Sequence, residues 1–290
     1  MNKNLKLIGY PLFIFFITLV FAYYLFPSEK VASYIKVNLN KANPDLSIII
    51  NNIKPSFPPG LKLIDVSLYD KNDLLFKSEE IKIVPGLFSM AKKKKKFYFK
   101  SKAFGGVVKG NGFVSGDTSG GVVNIDADFK DILIDEIPAV QNFSGFHITG
   151  SVDGKVLYKN ESKSGDTLNS FFNLTGCRVE FAPDFFKLED GLIFDYIKGE
   201  LSFSNRRLEI EKCDLNGPQV NGTITGSVIV NDPASMSILD INGTIGPEGS
   251  FLSNVGMGVP LGIFLKGKSG EKSIPFRIYG TFDKPGFSLN

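Results

Sequence analysis

From residue 46 onward apolar and polar side chains alternate with a period of two, the pattern of strands with one dry face and one wet face. Val123, Ile125, Ala127 and Phe129 alternate with Asn124, Asp126, Asp128 and Lys130. The same register runs through Phe146, Ile148, Gly150 and Val152, and through Val220, Gly222, Ile224, Gly226, Val228 and Val230. It returns in Leu239, Ile241, Gly243 and Ile245, and in Ile274, Phe276, Ile278, Gly280 and Phe282. Turn residues separate these runs at Pro58-Pro59-Gly60, Gly105-Gly106, Gly120-Gly121, Asp153-Gly154, Asn205-Arg206, Gly217-Pro218 and Gly246-Pro247. Strands joined so tightly run antiparallel, and Asp153-Gly154 suits a two-residue hairpin turn. Two stretches, residues 131–143 and 250–265, resist a strand pattern and read as short helices or flaps.

Glycine recurs on the apolar register at Gly150, Gly222, Gly226, Gly243 and Gly280. A residue without a Cβ permits bulges and bends. The expected fold is therefore mainly β, a strongly coiled antiparallel sheet that folds over into a trough or a barrel-like form. A weak repeat of Gly-x-x-x-Gly between apolar runs, at Gly106 to Gly110, Gly150 to Gly154 and Gly222 to Gly226, fits the same picture.

Two helical segments precede the strands. Residues 7–26 carry no charge, and thirteen of them are Leu, Ile, Phe or Val; about 20 such residues span ~30 Å of hydrocarbon. Lys3 and Lys6 precede the span while Glu29 and Lys30 cancel after it, which places the N-terminus in the cytoplasm. The apolar block is longer than a signal peptide's and ends in bulky aromatics, so it reads as a retained single-pass anchor. Ser28 is placed to cap a second helix carrying Val31, Tyr34, Ile35 and Leu39, closed by Asn43-Pro44 and lying along the membrane surface. The domain plan is a cytoplasmic N-terminus (1–6), a transmembrane helix (7–26), a juxtamembrane helix and linker (27–45) and a periplasmic all-β domain (46–290).

Charge adds one local feature. The chain of 290 residues has a formal net charge of +3, which is not the balance of a nucleic-acid binder. Five of its positive charges form one run, Lys92, Lys93, Lys94, Lys95 and Lys96. Such a run reads as a solvated loop, a contact for anionic lipid, or a contact for an acidic protein partner. The two cysteines, Cys177 and Cys213, exclude a four-cysteine zinc site; in an oxidising compartment they allow one disulfide or two buried thiols.

Catalytic chemistry is sparse. His147 is the sole histidine and lies within a strand pattern. Gly110-x-Gly112 fails the spacing of a dinucleotide fingerprint, and Asp126 and Asp128 alternate with apolar residues as a solvated β face does. No catalytic, cofactor or metal residue is expected, and no cofactor.

The ordered set Phe26-Pro27, Pro55-Ser56-Phe57-Pro58-Pro59-Gly60, Asp65-Val66-Ser67-Leu68, Phe104-Gly105-Gly106 and Leu215-Asn216-Gly217-Pro218 resembles the longer form of general secretion pathway protein N (GspN), a type II secretion component. The second half, ending in Ile278-Tyr279-Gly280-Thr281 and Pro285, also looks like AsmA-type periplasmic proteins, whose folded sheets form apolar grooves associated with lipid transport. Neither resemblance implies an enzyme. The first implies an inner-membrane accessory of protein secretion with other secretion subunits as partners. The second implies a phospholipid trough, here lined by Phe172, Phe203, Val228, Ile241, Ile245 and Phe276.

Overall fold

The computed structural model describes residues 10, 13–14, 16–18, 20–21, 23–71, 73–115, 121–141, 146–161, 165–181, 191–247 and 273–289. Among them are fourteen strands, each antiparallel to the strands it pairs with. They fall into two units, Met1–Pro85 and Gly86–Asn290, where alternation alone suggests one β domain over 46–290.

In the first unit β1 (Leu46–Ser56), β2 (Gly60–Asp70) and β3 (Asp73–Pro85) form a meander whose buried centre is Ile53, Leu63 and Val66. Helix α1 (Ser28–Ala42) lays Val31, Ala32 and Ile35 on that centre. Val31, Ala32 and Ile35 thus face the sheet, where Ile48, Ile50 and Ile81 also pack, while Tyr34 of the same helix stays 71% exposed. Ser28 is the first helical residue and makes no side-chain cap bond. The helix ends as the sequence suggests, with the Asn43 amide donating to the Leu39 carbonyl at 2.9 Å.

Of residues 7–26, the described Tyr10, Phe13, Ile14, Phe16, Ile17, Val20 and Phe21 have helical backbone and exposed side chains. The other positions needed for a continuous span lie outside the described residues. Among the described residues no helix is long and apolar enough to cross a membrane.

The second unit holds β4 (Lys94–Ala103), β5 (Gly106–Ser115), β6 (Val122–Leu133), β7 (Phe146–Glu161), β8 (Gly165–Phe181) and β9 (Leu192–Ser204). It continues with β10 (Arg207–Asn216), β11 (Val220–Ile229), β12 (Ile238–Pro247), β13 (Ile274–Thr281) and β14 (Pro285–Leu289). Neighbours in sequence are neighbours in the sheet, and among the described residues β14 does not return to β4, so the sheet is open and not a closed barrel. Phe104 and Gly105 turn β4 into β5, and Asn205 and Arg206 turn β9 into β10, all four residues with positive φ. Two successive positive φ values give a hairpin turn the twist of its flanking strands.

Asp153-Gly154 is not a turn. It lies inside β7, where the Asp153 carboxylate accepts the Asp131 amide at 2.7 Å and Gly154 pairs with Phe129 and Phe172. The Gly-x-x-x-Gly pairs likewise sit within β5, β7 and β11, and Gly246-Pro247, also read as a turn, ends β12 paired with Asn221 and Val220. Residues 131–143 divide differently from the sequence pattern. β6 continues to Leu133, followed by a 3-10 turn (Ile134–Glu136) and the short helix α2 (Pro138–Gln141), while 142 and 143 lie outside the described residues. The segment 250–265 lies outside them as well.

Bulges explain why the alternation breaks. Register shifts fall between Phe129 and Ile132 on β6, between Thr149 and Ser151 where β7 meets β8, and between Ile210 and Cys213 on β10. An extra residue reverses which face the following side chains take. Apolar positions therefore change from odd to even numbers along β6, from Phe129 to Ile132, and from even to odd along β8, from Leu174 to Cys177. One face stays apolar through the change.

Candidate functional site

The register of the second unit assigns every side chain to one of two faces. Across the sheet Phe129 stands opposite Gly154, Gly154 opposite Phe172, and Phe172 opposite Gly199. The row continues through Cys213, Ile224 and Gly243 to Phe276. The six trough residues named from the sequence all fall on this apolar face: Phe203 faces Leu208, Leu208 faces Val228, and Ile241 and Ile245 face Gly226 and Gly222.

Large rings lie flat on this face because glycine opposes them. An added Cβ at Gly199 would stand 2.5 Å from Phe172 Cε1, and one at Gly243 would stand 2.5 Å from Phe276 Cζ. Phe97 and Phe99 lie over Gly112 and Gly110 in the same way. The absent side chain opens a shallow seat for the ring of the neighbouring strand, a cross-strand pairing that fixes register.

The face is dry at one end and half-covered at the other. Ile132, Val152, Leu174, Cys177, Phe194 and Ile274 are buried together, and Ile134 and Ile137 of the 134–141 segment pack on them. Gln141 ties that segment down by donating to the carbonyls of Ile134 and Ile148 at 3.1 and 2.8 Å. Towards the other end Phe97, Phe99, Ile125, Tyr158, Leu168, Phe203 and Leu208 are only partly buried. Polar groups rim this end: Lys95 is exposed, and Asn160 donates to Asp166. Burial, with the Asp166 charge next in size, raises the Tyr158 hydroxyl pKa above 10.0, which keeps it neutral.

The opposite face is charged. Lys155 binds Asp126 at 2.9 Å and Lys212 binds Asp214 at 2.7 Å, and each hydrogen bond raises the lysine pKa. A cleft of about 560 Å³ on this face is lined by Asp128, Lys155, Phe171, Asn173, Lys198 and Glu200, among others. Its charges largely neutralise one another. Asp126 and Asp128 are thus part of a solvated β face, and exposed His147 stands opposite Glu180 on the β7–β8 ladder. Among the described residues no three His, Cys, Asp or Glu side chains converge as a metal site.

Cys177 and Cys213 are free and buried. They sit on β8 and β10, on either side of β9, facing Phe194 and Gly199 respectively. Two strand spacings, about 9.5 Å, exceed the ~7 Å reach of a disulfide, so the optional bridge is excluded by register. Burial pushes each thiol up to about 11, in Cys213 with a further push from Asp214. Both are expected to resist maleimide at neutral pH until denaturant is added. The unfolded thiols ionise near 9.0 and the folded ones near 11. Stability should therefore be independent of this pair below that window and fall as pH rises through it. Alanine at both positions should flatten that alkaline decline, and rapid labelling of the folded protein would contradict the assignment.

The lysine run is divided by the fold. Lys92 and Lys93 precede β4 and Lys94, Lys95 and Lys96 begin it, all five exposed. Sequence reasoning missed the exposed apolar residues just before them, Leu87, Phe88 and Met90; their signal was three large apolar residues in a segment with no strand alternation. Of the segments that carry the family resemblance, Phe104-Gly105-Gly106 and Leu215-Asn216-Gly217-Pro218 form the β4–β5 and β10–β11 connections. Comparison with protein-family models, curated proteins and solved structures finds no match.

Proposed function

We propose that this chain is a non-catalytic, membrane-anchored lipid-handling protein in which the apolar face of the second unit receives acyl chains. One observation carries the proposal: among the described residues the apolar side chains from Phe97 to Leu208 are only partly buried, while the far end of the same face is packed and dry. A sheet with one apolar face must cover it with a second layer, close into a barrel or hold an apolar guest. This one is open. The uncharged residues 7–26 serve as the inner-membrane anchor, with the N-terminus cytoplasmic and the bulk of the chain periplasmic.

A role as an accessory of type II secretion is the second reading. It is favoured by the ordered sequence features that resemble GspN and by β14, which among the described residues pairs with a strand on one side only and leaves an edge for strand addition. Photocrosslinking in the full-length protein in its native membrane separates the two. A benzophenone side chain replacing Phe203 on the apolar face is expected to yield phospholipid adducts, and one replacing Phe171 on the charged face is not. Protein adducts at position 203 in place of lipid would overturn the lipid reading and favour the secretion one.

A further inference from the structure

The segment joining Gly86 to β4 has a construction that the apolar face does not explain. Leu87, Phe88 and Met90 are 60, 95 and 55% exposed, three large apolar side chains at one tip. The backbone that presents them is pinned. Ser89, itself buried, donates through Oγ to the Gly86 carbonyl at 2.6 Å and accepts the Lys96 amide at 2.8 Å. The Gly86 amide donates to the Lys96 carbonyl at 2.9 Å, and the Lys92 amide to the Ser89 carbonyl at 2.9 Å. These bonds turn Ser89 inward and leave its apolar neighbours in solvent.

Directly beyond the tip lies the densest positive charge of the chain. Between positions 86 and 116 there are eight lysines and no acidic residue. Lys100 stands directly opposite Lys109 on β5, which has Asp128 of β6 on its other side. Lys94 holds its ammonium 5.1 Å from the Phe113 ring and so lies along the strand. An apolar tip beside a dense collar of lysines matches one environment in both of its parts: acyl chains for the tip and anionic headgroups for the collar.

We propose that residues 86–96 form a wedge that docks the second unit on an anionic bilayer, with Phe88 entering the acyl region and Lys92, Lys93, Lys94, Lys95 and Lys96 contacting phosphate headgroups. An acidic protein would account for the lysines and leave an almost fully exposed phenylalanine without a partner. This docking is distinct from lipid binding on the apolar face: the tip that carries Phe88 precedes β4, and of the five lysines Lys95 alone is placed on the rim of that face.

The test uses full-length protein, Phe88→Cys, labelled with an environment-sensitive fluorophore and reconstituted in vesicles of phosphatidylcholine with or without phosphatidylglycerol. In the anionic vesicles the emission is expected to shift to the blue and to be quenched by spin-labelled acyl chains. A label on Phe171→Cys should do neither. Serine at all five lysines should weaken the quenching at position 88 by roughly tenfold or more, since each near-surface lysine contributes several-fold to partitioning, and added salt should have the same effect. Because all five are exposed, circular dichroism of the serine variant should match the parent. A label at 88 that stays unquenched in anionic vesicles, or one quenched equally in neutral vesicles and in the serine variant, overturns the proposal. Either result leaves the crosslinking at position 203 unaffected, so failure here is distinct from failure of the lipid-handling reading.

Discussion

Alanine at Gly154 is expected to destabilise the second unit by about 2 to 4 kcal/mol, the range of overpacking combined with backbone displacement, and alanine at Gly199 by about 1 to 2 kcal/mol. The two glycines occupy the same row and differ in what crowds them. A Cβ at Gly154 would be driven into the Phe171 carbonyl oxygen and would stand 2.5 Å from Phe129 Cζ. At Gly199 the crowding comes from the Phe172 ring, at 2.5 and 2.6 Å, while the nearest carbonyl oxygen, of Lys212, is 3.4 Å away. A ring gives way by changing rotamer, whereas a carbonyl fixed in a strand ladder does not. Shrinking the ring should therefore rescue one variant and not the other. Gly199→Ala with Phe172→Leu should be more stable than additivity allows by about 1 kcal/mol. Gly154→Ala with Phe129→Leu should be additive. Urea unfolding followed by far-ultraviolet circular dichroism measures both, since the chain has no tryptophan. Equal coupling in the two cycles would refute the distinction.

Aspartate at Ile274 is expected to unfold the sheet or cost at least about 3 kcal/mol, because an unpaired charge in a dry interior is heavily penalised. Ile274 is 0% exposed and belongs to the cluster that also holds Cys177 and Phe194. The comparison is Ile238→Asp on the neighbouring strand, where the isoleucine is 46% exposed. That change should fall within about 1 kcal/mol, as surface substitutions usually do. Similar losses at the two positions would contradict the assignment of the buried and exposed sites.

Much of the strand content was legible because alternation is a local property. Val123 to Lys130 declare a half-buried strand without reference to any other part of the chain. The turn at Asn205-Arg206 was legible for the same reason, and the one read at Gly105-Gly106 falls one residue earlier, at Phe104-Gly105, since a tight turn is built from two residues and their own φ values. The trough residues named from the sequence share a face because short strands keep parity between bulges. The lysine run was plain, yet the apolar tip beside it was not, because exposure is a property of the packed chain and Leu87, Phe88 and Met90 read equally well as core.

Asp153-Gly154 shows the limit most directly. The dipeptide has turn chemistry, but Gly154 is in the strand, where it seats the ring of Phe129 from the neighbouring strand. The bulges are of the same kind. The shift from Phe129 to Ile132 ends the alternation on β6, and only pairing with Val152 on β7 shows that the strand goes on with its faces exchanged. The cysteines follow suit, their separation being set by the strand that lies between them. The sequence by itself determined which segments extend, where several of the chain reversals occur and that one side of the sheet would be apolar, because those follow from side-chain period and local backbone preference. Register, bulge position, ring-on-glycine seating and the wet or dry state of each end of the apolar face were decided only by the tertiary structure. Each of them depends on the hydrogen-bonded neighbour strand, and local sequence does not encode that neighbour's alignment.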